Sequence, residues 1–197
     1  MRFSTILTTV LAVTLSTTAM AEQDWSKLSK KKQTTLGLYM TPTDANKFMQ
    51  ENGNKALFVD VRTRAELNFL GTPAVSDANI PYMKLNEWYA WNDKKGGFKM
   101  EVNSEFESEM ERRVAAKGLT KDSPILLICR SGSRSAKAAD LLAKLGYTKV
   151  YSIAEGYEGD KAKEGAQKGQ RVVNGWKNTG QPWTYKLEKD KMFLVEG

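Results

Sequence analysis

Residues 125–153, ILLICRSGSRSAKAADLLAKLGYTKVYSI, leave little freedom in what this chain folds into. Ile125 to Cys129 is a continuous apolar run opened by Pro124, the pattern of a strand buried on both faces. From Arg134 to Leu145 the apolar residues Ala138, Leu141, Leu142 and Leu145 fall on one helical face, and Gly146 stops the helix. Lys149 to Ile153 reads as the next strand. A strand, a helix and a strand within about thirty residues make a βαβ unit, which demands a parallel sheet and a right-handed crossover. The class is therefore α/β.

Other segments fit this frame. Thr41-Pro42-Thr43-Asp44 caps a helix carrying Ala45, Phe48 and Met49, which ends near Asn52-Gly53. Ala56 to Val61 is a second apolar run and reads as the first central strand. Ala65 to Leu70 suits one short helical turn, and Asn79-Ile80-Pro81 a brief edge strand. The aromatic and glycine-rich stretch YMKLNEWYAWNDKKGGFKMEVN has no sustained period and reads as a long ordered loop. Asn103 or Ser104 then caps a helix through Phe106, Met110, Val114 and Ala115, closed by Gly118. After Gly156 the chain turns polar; Trp176 and Trp183, flanking Gly180 and Pro182, are expected to pack a closing segment onto the domain.

The chemistry is narrowed by what is missing. With no histidine and one cysteine, the chain has neither a disulfide framework nor a multi-cysteine metal site, and it lacks the commonest general base. That single thiol, Cys129, stands where a strand gives way to a helix, and ligands in open parallel sheets bind at such strand ends. It is followed by Arg130-Ser131-Gly132-Ser133-Arg134-Ser135. Small residues at 131, 132, 133 and 135 let successive backbone N–H groups turn inward as an anion cradle. The helix N-terminus adds partial positive charge, and Arg130 and Arg134 add full charges. Together they favour the thiolate, so the nucleophile needs no histidine. Most free cysteines are simply small buried hydrophobes, but glycine, small residues and two arginines directly after this one argue for a site.

Several ordered motifs resemble a single rhodanese domain from about Thr41 to Gly159: Val59-Asp60-Val61-Arg62 with Glu66, Asn79-Ile80-Pro81, Ile128-Cys129-Arg130-Ser131-Gly132-Ser133-Arg134-Ser135, and Glu155-Gly156-Tyr157. The stretch from Asn174 to Gly180 before Pro182-Trp183 resembles exported single-domain members of that family. The resemblance implies a three-layer sandwich, with a five-stranded parallel sheet flanked by helices. It makes Asp60, Arg62 and Glu66 a structural polar cluster rather than an acid–base set. It also implies sulfur transfer: Cys129 takes the outer sulfur of thiosulfate or a related donor as a persulfide and passes it to cyanide, a thiol or a protein. Arg130 and Arg134 would attract and orient the anionic donor, with no metal or organic cofactor required. Thr72 to Asp77 departs from the family's usual histidine-containing run, and 82–118 is longer than in the smallest members. Two other readings stand beside it. One is a persulfide carrier or redox-sensing module without efficient turnover. The other is a cysteine phosphatase or arsenate reductase, which the four residues between Cys129 and Arg134 disfavour, since phosphatases on related scaffolds use five.

The first 21 residues, with basic Arg2, an apolar stretch from Ile6 and an Ala19-Met20-Ala21 ending, have the layout of a secretory signal peptide cleaved before Glu22. Export, to a bacterial periplasm, is the expectation, with no stable membrane anchor after cleavage. The domain layout expected is a polar tail over 22–40, exposed and holding Lys27, Lys30, Lys31 and Lys32, then a rhodanese domain over 41–185, then a C-terminal tail over 186–197. The excess of 30 Lys and Arg over 23 Asp and Glu suits an anionic substrate, although a solvated lysine surface explains it as well. No aromatics interleave the lysines as nucleic-acid binding would require.

Overall fold

A computed structural model describes residues 23–194, so the signal-peptide reading lies outside the described residues. Five parallel strands form the central sheet: β1 (Tyr39–Met40), β2 (Leu57–Asp60), β3 (Ala78–Asn79), β4 (Ile125–Ile128) and β5 (Val150–Ile153), in the order β1-β5-β4-β2-β3. Strand pairing sets Asp60 beside Ile128 and Leu57 beside Ile125. Every residue of β2 and β4 is buried, as continuous apolar runs require.

Because side chains alternate along a strand, the sheet has two apolar faces. Leu57, Val59, Ile125 and Leu127 pack with helices α3 (Phe106–Ala116) and α4 (Ser133–Lys144) through Met110, Val114, Ala138 and Leu142. Phe58, Leu126, Ile128 and Ile153 pack on the other side with Ala45 and Met49 of α1 (Pro42–Asn52) and with Trp176. Each large side chain fully buried this way contributes about 1.5–3 kcal/mol. The expected three-layer arrangement is present.

Helix starts follow local chemistry. Thr41 caps α1 by accepting from Asp44 N at 3.1 Å. The short helix α2 (Arg64–Leu70) is opened by a reciprocal capping box between Thr63 and Glu66, which extends it beyond the single turn expected. Helix α3 corrects the expected cap: it begins after Glu105 without a side-chain cap, and Asn103 instead accepts from Glu105 N at 3.2 Å while donating to Pro81 O at 3.0 Å.

Three more expectations need revision. The segment read as a long loop contains two antiparallel ribbons, Met83–Leu85 with Met100–Val102 and, at its tip, Trp91–Asn92 with Gly97–Phe98. The edge strand sits at Ala78–Asn79, ahead of the Ile80-Pro81 expected to share it. Among the described residues, the segments read as tails are not free. Tyr39 and Met40 pair with Ser152 and Ile153, and Lys32 is 5% exposed with its ammonium 2.8 Å from both Asp160 oxygens. At the other end, Met192 bridges to Asn79, and Phe193 N donates to Asn79 O at 3.0 Å. That contact covers the outer edge of β3, which would otherwise present unpaired backbone groups.

The closing segment packs as expected. Trp176 is fully buried, its ring 5.4 Å from that of Phe58 and its Nε1 donating to Pro182 O at 2.9 Å. Trp183–Thr184 then pairs antiparallel with Thr72–Pro73.

Candidate active site

Cys129 follows the last residue of β4 and is buried. Its strand gives it position, and the turn after β5 gives its loop shape: Tyr157 N donates to Cys129 O at 2.8 Å and Glu158 N to Arg130 O at 2.9 Å. Two glycines make this close approach possible. A Cβ on Gly156 would stand 2.5 Å from Ser131 N, and one on Gly132, whose φ is +90°, would stand 2.1 Å from Ala154 O.

Gly132 occupies the N-cap position of α4 and has no side chain to offer the helix. The sulfur faces that end instead, with Gly132 N donating to Cys129 Sγ at 3.2 Å. Ser133, Arg134 and Ser135 open the helix, so their N–H groups have no intrahelical acceptor, and the dipole favours negative charge there. Ser135 Oγ lies 3.5 Å from Sγ, 3.1 Å from Gly132 O and 2.9 Å from Ser152 Oγ. A hydroxyl carries one proton and two lone pairs. When Ser152 donates to Ser135, the single Ser135 proton goes to either Gly132 O or the sulfur. Ser152 was not among the expected site residues, although a serine inside the apolar run of β5, where its side chain is fully buried, is its signal.

The two loop arginines part company. Arg134 commits its fork to Glu66, Nη1 to Oε2 at 2.7 Å and Nη2 to Oε1 at 2.5 Å. The expectation that it orients a donor gives way to a bidentate tie between the loop and α2. Burial pushes the Glu66 carboxyl up, but Arg134 and the Thr63 hydrogen bonds outweigh this and hold it at about 2. Arg130 is half-exposed, with its Nε 4.0 Å from Glu158 Oε2. Its charge remains available to an anion arriving from solvent.

The expected Asp60, Arg62 and Glu66 cluster divides in two. Asp60 and Arg62 are both fully buried and paired, Nη2 to Oδ2 at 2.6 Å. Arg62 also donates to Gly71 O at 2.7 Å, and Thr72 Oγ1 to Asp60 at 3.2 Å, so the pair clamps the chain leaving α2. The Arg62 guanidinium lies 3.8 Å from the centre of the Tyr157 ring. Glu66 belongs with Arg134 instead.

Arg171 also enters the picture from the closing segment, donating from Nη1 to Gly159 O at 2.6 Å. Nothing in the stretch RVVNG that it opens marks it in the sequence. A separate cleft of about 490 Å³ is lined by Thr63, Arg64, Pro81, Lys84, Glu105 and Phe193. None of the 129–135 loop lines it, and it is not the sulfur's site.

The arrangement is a buried sulfur that receives a hydrogen bond from Gly132 N at the N-terminus of α4, a place where a cysteine can serve as a nucleophile. The family model described as Rhodanese-like domain matches residues 41–163, more than half of the chain. An uncharacterized protein of Rickettsia prowazekii is 30% identical over 133 residues, covering 67% of this chain and 85% of the relative. Thiosulfate sulfurtransferase GlpE of Tolumonas auensis is 46% identical over 41 residues, 21% of this chain and 39% of that protein. Among solved structures, Rv0390 from M. tuberculosis superposes with a TM-score of 0.52 at 27% identity, over 75% of this chain and 96% of that one.

Proposed function

The chain belongs to the rhodanese-like domain family, and from that membership we propose that it is a thiosulfate-type sulfurtransferase working through a persulfide on Cys129. Membership and the resemblance to a named sulfurtransferase support sulfur transfer in general. The observation that carries the finer reading is the hydrogen bond from Gly132 N to Cys129 Sγ at 3.2 Å, at the mouth of α4.

In the first half-reaction the Cys129 thiolate attacks the outer sulfur of thiosulfate. A sulfur–sulfur bond forms to Cys129 as the donor's sulfur–sulfur bond breaks, and sulfite leaves with the bonding pair. The Gly132 N–H and the helix N-terminus stabilise the anionic sulfur before and after transfer. In the second half-reaction a nucleophile such as cyanide or a thiolate attacks the outer persulfide sulfur, returning the electron pair to the Cys129 thiolate. Arg130, half-exposed beside the loop, attracts the dianionic donor. The engagement of Arg134 with Glu66, together with a loop of only four residues between Cys129 and Arg134, weighs against a phosphatase, whose arginine must reach a phosphoryl group.

Intact mass after thiosulfate treatment tests the proposal. The wild type is expected to gain one sulfur atom that dithiothreitol removes, and Cys129→Ser to gain none. Absence of that sulfur on the wild type overturns the reading. We also propose export of the mature chain, on the strength of the leader-like first 21 residues.

A further inference from the structure

We propose that Arg171 forms, with Arg130, a two-guanidinium receptor at the mouth of the Cys129 loop that selects sulfur donors with a dianionic oxyanion head over donors of lower charge. The proposal rests on the sulfurtransferase reading for its substrate, and it concerns a residue outside the span that matches the family, 41–163.

The geometry begins at Tyr157, whose N–H holds Cys129 O at 2.8 Å. The next residue, Glu158, donates its N–H to Arg130 O at 2.9 Å. The residue after that, Gly159, receives the Arg171 guanidinium on its carbonyl at 2.6 Å. With Arg130 Nε 4.0 Å from Glu158 Oε2, the guanidinium groups of two arginines distant in sequence meet adjacent residues of one turn, the turn whose N–H groups hold the carbonyls of Cys129 and Arg130. Arg171 itself is fixed by a backbone bridge to Lys161 and by Asn178 Nδ2 donating to its carbonyl at 3.2 Å. Gly159 is pressed against the same segment, since a Cβ there would stand 1.7 Å from Asn174 O.

The charges around the pair leave it short of anions. Asp160 is already engaged, both of its oxygens 2.8 Å from Lys32 Nζ. Glu158 stands 4.0 Å from Arg130, beyond hydrogen-bond reach. Burial and the neighbouring Arg130 charge pull the Arg171 guanidinium below its ordinary range, against the opposing pull of Glu158, Asp160 and Cys129. Two like charges held on one turn next to the Cys129 loop gain most from a ligand that meets both, and a tetrahedral sulfonate head can present separate oxygens to the two guanidinium forks. A lone positive charge at Arg130 would favour any anion; a pair discriminates by charge number.

The test uses full-length protein with Arg171→Gln, Arg171→Lys and, as a control for net charge on the same segment, Lys163→Gln. Initial rates are measured with thiosulfate and with the monoanionic donor benzenethiosulfonate. For Arg171→Gln the expected result is a KM for thiosulfate raised about tenfold, a KM for benzenethiosulfonate raised less than threefold, and kcat within twofold. Arg171→Lys should recover part of the loss, and Lys163→Gln should match the wild type. An unchanged KM for thiosulfate overturns the proposal, as does an equal loss for both donors.

A second arm needs no sulfur transfer. The rate of Cys129 alkylation by iodoacetamide is followed against sulfate at constant ionic strength. Sulfate should protect the wild type, and Arg171→Gln should need about tenfold more sulfate for the same protection. Equal protection in both proteins, or none in the wild type, refutes the receptor even if thiosulfate turnover is found. Protection lost in Arg171→Gln supports it even if the wild type takes up no persulfide.

Discussion

Replacing Glu66 by glutamine removes one side of the contact that ties the Cys129 loop to α2. The carboxyl sits at about 2 in the folded protein against an ordinary 4.5, and its side chain is 20% exposed, so solvent screening discounts only part of the linkage. A gap of that size corresponds to about 3 kcal/mol of stability at pH 7. The sign follows from the direction of the shift. A carboxylate whose folded value is depressed contributes fully above its unfolded value, and the contribution is lost as pH falls from about 4.5 towards 2. At pH 3 roughly 1.4 kcal/mol of it remains, so about 2 kcal/mol disappears between pH 7 and pH 3. Glutamine takes up no proton. Arg134 left without its partner adds a destabilisation that does not depend on pH over this range. Urea unfolding of wild type and Glu66→Gln at both pH values, followed by tryptophan fluorescence, should therefore give a stability difference about 2 kcal/mol smaller at pH 3. A difference that stays within about 0.5 kcal/mol across the two pH values would refute the reasoning, because it would mean that Glu66 is not held ionised by Arg134.

Gly132→Ala should cost about 2 kcal/mol or more and lower turnover about 100-fold, because the new Cβ meets Ala154 O at 2.1 Å at a φ of +90°; wild-type turnover with unchanged unfolding would refute the loop geometry. The mature N-terminus of the exported protein should be Glu22, as sequencing of secreted material would establish, and retention of Met1 would sink the cleaved-leader reading.

What could be read in the sequence was what rests on local pattern. Ile125–Ile128 and Leu57–Asp60 were visible because strands buried on both faces leave uninterrupted apolar runs. Helix α4 was visible through its apolar stripe, and the thiol through its place between the two. The ribbons at 83–102 were not, because strands of two or three residues are too short to display a period. Partners far apart in the chain escaped for a different reason. Arg134 resembles a free anion-binding group until Glu66, 68 residues earlier, is seen to hold it. Lys32 resembles one more solvated lysine until Asp160, 128 residues later, neutralises it. Arg171 has no pattern at all, and only the turn at Gly159 gives it meaning.

The seat of Lys32 bears on heredity within the fold. Its stem lies close enough to Gly132 that a Cβ there would stand 3.2 Å from Lys32 Cδ, while its head is tied to Asp160 in the segment that brings Arg171 in. The sulfur's loop is thus braced by a residue that precedes the family's common span, and the strand after it, Tyr39–Met40, closes the sheet. Substitution at Lys32, in a stretch that is ordinarily among the most permissive of a domain, therefore bears on the packing around Gly132 in this protein.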